Sequence, residues 1–251
     1  MSRLRLSGAG VEKRFGRVTA LHGIDFEIAP GESVAILGAN GAGKSTWLRI
    51  LAGVAKPSGG RFTAETSDGA GSASPLSRHR LRGRVGYVGH ATLLYGELSA
   101  RENLVFAARL HGRRPSRAEQ DALFAELGLE EFADRRVSAL SRGTAQRVSI
   151  ARGLVHDPDL LLLDEPFTGL DEISAERLSQ QLAMLRERGR ALVVVTHDPQ
   201  RAVELSDRAL LLHRGRIRAT AHRSEGALFE AVALRENLLR LAREDAAGAR
   251  A

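Results

Sequence analysis

Gly38, Ala39, Asn40, Gly41, Ala42, Gly43, Lys44 and Ser45 fit the pattern G-x-x-x-x-G-K-[S/T], a spacing suited to holding a polyphosphate. Glycines let the backbone fold closely around a phosphate with its N–H groups turned inward, and a helix that starts at this point adds partial positive charge. Lys44 supplies a full charge, and Thr46 extends the set one residue into the helix. A second anchor stands at Asp164 and Glu165, directly after the apolar run Leu160-Leu161-Leu162-Leu163. Two adjacent carboxylates beside a buried strand are costly to desolvate without a metal or protein partner. Asp164 together with Ser45 is therefore expected to hold Mg²⁺. Glu165 is the expected general base, placing a water in line with the terminal phosphate, because phosphoryl transfer asks the protein mainly for positioning and charge.

The elements around these residues arrive in the required order. Ser33 to Leu37 is nearly all apolar, as expected of a central parallel strand covered on both faces. It runs into the glycine-rich turn and then into a helical pattern in which Trp47, Leu48 and Leu51 share one face, with Gly53 as its stop. Before it, Leu4 to Ala29 reads as two β segments around a turn near His22 and Gly23. The stretch Glu65 to Arg80 has no hydrophobic period and reads as surface loop. After the strand Arg84 to Gly89 come helical patterns over 100–111, 116–127 and 144–155, an inserted helical block. The sheet resumes with Leu160–Leu163, Ala191–Val195 and Ala209–His213, separated by helices over 175–188 and 200–205. In the last segment Ala227, Ala231, Leu234, Leu238 and Leu241 make one apolar stripe, and packing on its own domain is favoured over a dimer helix. The tail from Ala246 is expected to fray.

Of the 251 residues, 43% are hydrophobic and 27% charged, enough for a packed core. No apolar run exceeds five residues, as in Ala191 to Val195, whereas a membrane-crossing helix needs roughly twenty. The N-terminus resembles no signal peptide and there is no cysteine, so the cytoplasm is the expected compartment. The net charge of +7 comes from scattered arginines, with Lys13, Lys44 and Lys56 the only lysines, so no specific nucleic-acid partner is expected.

Together with four further motifs in order, the chain resembles the ABC ATPases over nearly its whole length. Leu140-Ser141-Arg142-Gly143-Thr144-Ala145-Gln146-Arg147 looks like the family's signature loop, whose helix N-terminus faces the γ-phosphate on the opposite subunit; Ser141, Arg142, Gly143 and Gln146 fall in it. Thr168-Gly169-Leu170-Asp171 resembles the D-loop, with Asp171 coupling the two sites. Thr196-His197-Asp198 resembles the switch loop whose histidine contacts the γ-phosphate, and Phe15 stands where an aromatic stacks on adenine. The resemblance implies an α/β P-loop NTPase with a parallel sheet core at about 1–90 and 157–224. It adds an antiparallel β subdomain, a helical signature lobe at about 91–156 and a C-terminal helix at about 225–245. It also implies ATP and Mg²⁺, a second ATP-binding subunit, expected to be a copy of this chain, and transmembrane permease subunits. The chain would then sit on the cytoplasmic side of the membrane, with a permease segment docked at Ala91 to Ser99. A soluble ABC-type ATPase of DNA repair or translation would carry long coiled coils or two cassettes, and a phosphate-loop kinase would have no use for a signature loop.

Two motifs depart from the family pattern, one at His90 and one at Arg142 and Thr144. His90 stands where most members carry the Gln of the metal shell, and an imidazole has no carbonyl oxygen for hard Mg²⁺, so direct ligation is not expected there. Arg142 replaces a signature glycine and Thr144 the usual Gln. The Gly89-His90 pair, the leucine-rich turn after it, Glu102-Asn103-Leu104 and Ser-Arg-Gly in the signature resemble the haem-exporter ATPases of cytochrome c maturation.

Overall fold

The computed structural model describes residues 3–67 and 73–248 of the chain. Strands β1 (Arg3–Phe15) and β2 (Val18–Ile28) form an antiparallel hairpin that closes with Phe15 opposite Val18. The turn is thus at Gly16 and Arg17, where Gly16 takes φ +57°, and not near His22 and Gly23 as the alternation suggested. Gly23 is a bulge instead: pairing steps from Val11 opposite Ile24 to Glu12 opposite His22 and leaves it unpaired.

β3 (Val34–Leu37) is buried throughout and leads through the glycine-rich loop into α1 (Lys44–Leu51). β4 (Gly59–Ser67) pairs with β1, β5 (Ala73–Pro75) pairs with β4, and α2 (Arg78–Arg82) starts on a Ser77 cap. Most of the expected surface loop at 65–80 is therefore regular structure, built by backbone pairing with little side-chain burial. Residues 68–72 of that reading lie outside the described residues.

β6 (Val85–Val88) is followed by three helices, α3 (Ala100–Leu110), α4 (Arg117–Glu126) and α5 (Arg142–Leu154). Ser99 and Ser116 open α3 and α4 with reciprocal capping boxes to Glu102 and Glu119. β7 (Leu160–Asp164), α6 (Glu172–Glu187), β8 (Ala191–Thr196), α7 (Pro199–Leu205) and β9 (Arg208–His213) rebuild the sheet. β10 (Arg216–His222), which the sequence reading lacked, adds an antiparallel edge, and α8 (Ala231–Gly248) ends the described chain.

The six-stranded sheet runs β10-β9-β3-β8-β7-β6, parallel except for β10. The antiparallel sheet β2-β1-β4-β5 covers one face, with Trp47 of α1 packed edge-on to Phe26 at 5.1 Å between the layers. On the other face, Leu104, Phe124, Val148 and Leu178 from α3 to α6 pack on Leu163 and Val194. The strands after which chemistry was expected, β3, β6, β7 and β8, are close neighbours whose carboxyl ends share one edge, where open parallel sheets bind ligands.

The C-terminal stripe packs on its own domain. Leu234 and Leu241 are buried with Ala202 of α7 and Leu37 of β3, and Leu238 packs beside them. The helix starts at Ala231 and not near Glu225, because Gly226 at φ +59° breaks the helical path, and Ala227 is left exposed in a 3₁₀ segment. No helix of the described residues is long and apolar enough to cross a membrane.

Candidate functional site

Residues 38–46 line a cavity of about 710 Å³ together with Ala20, His90, Asp164, Glu165, Thr168 and His197. Its size suits a nucleotide. Two glycines are obligatory on steric grounds. A β-carbon on Gly38 would stand 2.2 Å from the Leu212 carbonyl oxygen, and one on Gly43, at φ +103°, 2.5 Å from that of Ala20. The loop is thereby pressed between β9 and β2 along one wall of the cavity.

Lys44 opens α1 and is 6% exposed. Its ammonium donates to the carbonyls of Gly38 at 2.7 Å and Ala39 at 3.1 Å, which arches the loop around it. The third proton direction leads to Glu165 Oε1 at 3.6 Å, an ion pair too long for a hydrogen bond. The Ser45 hydroxyl donates to Asp164 Oδ1 at 3.1 Å. A hydroxyl and a carboxylate oxygen side by side are hard donors of the kind Mg²⁺ accepts along with substrate phosphates. Asp164 is 2% exposed. Burial holds its carboxyl above the usual range and the neighbouring Glu165 charge adds to that, while the Ser45 hydroxyl, Arg49 and His90 pull it down. A buried carboxylate under this strain fits a site that a divalent cation relieves.

Glu165 follows the last residue of β7 and adopts φ +52°, unusual for a residue with a side chain. Its N–H donates to the Val195 carbonyl at 3.0 Å, which fixes the turn to β8. One carboxylate oxygen lies 2.9 Å from His197 Nδ1; the other, Oε1, is buried without a hydrogen-bond partner. Strained backbone and an unsatisfied oxygen together mark a group kept for chemistry and not for packing. His197 comes from the end of β8 and is itself largely exposed.

The remaining expected residues do not line this cavity. Phe15 ends β1, is 52% exposed, and carries the Lys13 ammonium 5.0 Å from its ring centroid. Ser141 caps α5, accepting the Thr144 N–H at 3.2 Å, and both Ser141 and Arg142 are exposed. Gln146 is buried, 8% exposed, on the same helix. Asp171 caps α6, its two oxygens accepting the Ser174 N–H at 2.8 Å and hydroxyl at 2.9 Å, and these bonds hold its carboxyl below the usual range. Ser141 with Thr144 and Ser174 borders a separate polar cavity of about 520 Å³ that also reaches Arg147 and Arg177. Two cavity residues, Ala20 and Thr168, had not been singled out as site residues. Thr168 was readable from its place three residues after Glu165, whereas Ala20 joins only because β2 folds over the loop.

A model of the family described as ABC transporter matches residues 21–168. The Nod factor export ATP-binding protein I of Rhizobium sp. (strain N33) is 37% identical over 218 residues, 86% of this chain and 70% of that protein. The ABC transporter ATP-binding protein NatA of Bacillus subtilis (strain 168) is 34% identical over 203 residues, 80% of each chain. Among solved structures, the dimeric post-hydrolysis state of the ATP-binding cassette MJ0796 bound to ADP and Pi aligns with a TM-score of 0.73 at 30% identity. It covers 86% of this chain and 98% of that one. With the phosphate loop, the Ser45–Asp164 pair and the strained Glu165 in one cavity, the chain belongs to the ABC transporter family as an ATP-binding and ATP-hydrolysing subunit that works with Mg²⁺.

Proposed function

We propose that two copies of this chain enclose ATP between the Gly38–Thr46 loop of one and the Ser141–Gly143 loop of the other, driving a membrane exporter. The observation that carries this reading is that the Gly38–Thr46 loop and Ser141 line separate cavities within one chain, with Ser141 and Arg142 exposed at the start of their helix. The dimeric cassette MJ0796 bound to ADP and Pi supports it, as does the Nod factor export protein for the direction of transport.

In this reading Lys44 and the loop amides neutralise the phosphates, Ser45 and Asp164 hold Mg²⁺, and Phe15 stacks on adenine. Glu165 orients or deprotonates the attacking water, His197 contacts the γ-phosphate, and Asp171 couples the sites across the interface. Gln146 acts from beneath the signature loop, packing its helix. His90 reports the state of Asp164 to a permease segment docked at Ala91 to Ser99, on the cytoplasmic side of the membrane. ATP can close the pair only through phosphate contacts that the open state lacks. Glu165→Gln should then yield, with Mg²⁺ and ATP, a dimer stable in gel filtration; a chain that stays monomeric under these conditions would sink the shared-site reading.

A narrower reading, haem export in cytochrome c maturation, is supported by the Gly89-His90 pair at the cavity edge and by the Ser-Arg-Gly signature. The relatives named above are described by Nod factor export and as NatA, so the broader exporter reading has more behind it. Affinity purification from detergent-solubilised membranes, followed by mass spectrometry and an absorption spectrum, decides between them. Multi-span partners with a haem band favour the narrower reading, and a permease without haem removes it.

A further inference from the structure

Arg142 is the first residue of α5, exposed, and without an ion pair or hydrogen bond among the described residues. A cation there opposes the positive end of the helix dipole, so helix stability does not account for it. Its guanidinium instead lies flat on Gly169: a β-carbon on that glycine would stand 2.3 Å from Arg142 Cζ and Nη1 and 2.6 Å from Nη2. One residue on, a β-carbon on Gly143 would stand 2.9 Å from the Ser174 hydroxyl oxygen and 3.0 Å from its Cβ. Ser174 is bound to Asp171 through its N–H and its hydroxyl. At the other end of the same turn, the Thr168 N–H donates to the Glu165 carbonyl at 3.2 Å and the Leu170 N–H to that of Phe167 at 3.2 Å. An unbroken path of contacts thus joins Glu165 to the start of α5 within one chain.

We propose that Arg142 is a positioning residue that fastens the start of α5 to the turn at 168–171, keeping Ser141 and Glu165 in fixed relation. Because these two residues serve different nucleotides in the two-site reading above, on which this inference rests, the contact lets each site report its geometry to the other. The chemistry suits arginine alone. A planar guanidinium stacks on flat peptide surface, whereas a lysine ammonium is a hydrated point charge with no plane to lay down. Gly169, at φ +73° and without a side chain, supplies the bare surface.

The test measures steady-state ATP hydrolysis and thermal melting for Arg142→Ala, Arg142→Lys, Gly169→Ala and the double variant Arg142→Ala with Gly169→Ala. Loosening a positioned group lowers kcat more than it changes binding, so Arg142→Ala and Arg142→Lys should each lose roughly tenfold in kcat with KM for MgATP within about twofold. Melting of Arg142→Ala should be unchanged or higher, as the unfavourable cation is gone, and that of Arg142→Lys, which keeps the charge, unchanged. Gly169→Ala, whose methyl displaces the guanidinium, should lose kcat likewise, and the double variant should be no worse than the weaker single one. Wild-type kcat in Arg142→Ala, or losses that multiply in the double variant, overturns the proposal. Glu165→Gln separates the two levels. Failure of its ATP-dependent dimer removes the two-site reading, while a dimer together with wild-type kcat in Arg142→Ala removes only the fastening role.

Discussion

The phosphate loop and the turn at Ser141–Gly143 are both glycine-bearing turns that open a helix, yet one is folded into a cavity among its own contacts and the other starts its helix exposed. Around Lys44 the contacts come from the same chain: two loop carbonyls accept from the ammonium, Glu165 stands 3.6 Å away, and Asp164 accepts from Ser45. Around Ser141 the hydroxyl is engaged with its own helix, accepting the Thr144 N–H and pairing with the Thr144 hydroxyl at 2.9 Å, while Ser141 and Arg142 as residues remain exposed. A site buried in its own fold can bind by itself. On the proposed two-chain reading an exposed face has chemistry only when a second molecule completes it, which assigns binding to the first region and turnover to the pair.

The largest way to sharpen that contrast is Glu165→Gln. General-base positioning contributes typically 10²–10⁴-fold, so phosphate release should fall by about that factor while MgATP binding, read by a fluorescent nucleotide, stays near wild type. Turnover within tenfold of wild type would remove Glu165 from the base role. Lys44→Ala tests the first region alone. Losing a charge-assisted contact of about 1.5–3 kcal/mol should weaken ATP binding roughly ten- to a hundredfold, with folding intact by circular dichroism. An affinity like that of the wild type would mean the loop amides suffice.

Much of the first region could be read before any coordinates, because its chemistry is local in sequence: the glycine spacing, Lys44, and carboxylates at a strand end. The sheet strands were equally readable, since parallel strands covered on both faces show as unbroken apolar runs such as Leu160–Leu163. What escaped was set by contacts remote in sequence or by backbone alone. β5 and β10 are edge strands whose pairing is main chain to main chain. The hairpin turn was misplaced because Gly23, a bulge, looks like Gly16, a turn, when only residue type is visible. The cover that Ala20 gives to Gly43 and the seat of Arg142 on Gly169 needed the fold.

The helical block and the core also respond oppositely to acid. His156, after α5, donates from Nε2 to the Val85 carbonyl at 3.2 Å and stacks on His111 at 3.8 Å between centroids. Burial, and then the neighbouring His111, lower its pKa from 6.5 to about 4. Between those values the unfolded chain binds the proton and the folded chain does not, so this seam loses stability as pH falls from 6.5 towards 4, by about 3 kcal/mol when complete. Asp164, its pKa raised by burial, works the other way: its charge costs stability at neutral pH, and protonation relieves that cost as pH falls through the raised value. Urea midpoints at pH 7 and pH 5 should therefore drop in the wild type and drop less in His156→Gln, which keeps a donor for Val85 without titrating. An equal drop in both would place the acid sensitivity elsewhere.

The smallest effect is the most discriminating, because three of the four serine caps among the described residues open the long helices α3, α4 and α5 with matching geometry. Ser99, Ser116 and Ser141 accept the N–H of Glu102, Glu119 and Thr144 at 3.1, 3.2 and 3.2 Å. Removing such a cap costs about 1 kcal/mol, which in a chain of this size lowers Tm by about 2–4 °C. All three alanine variants should share that loss. Only Ser141→Ala should also lose turnover, since only Ser141 lies at the exposed start of α5 proposed to meet a second nucleotide, while Ser99 and Ser116 cap helices held by capping boxes. If Ser99→Ala lost as much activity as Ser141→Ala at equal Tm, the outward face of α5 would be a stability feature like the others, and the division between a self-sufficient region and a shared one would fail.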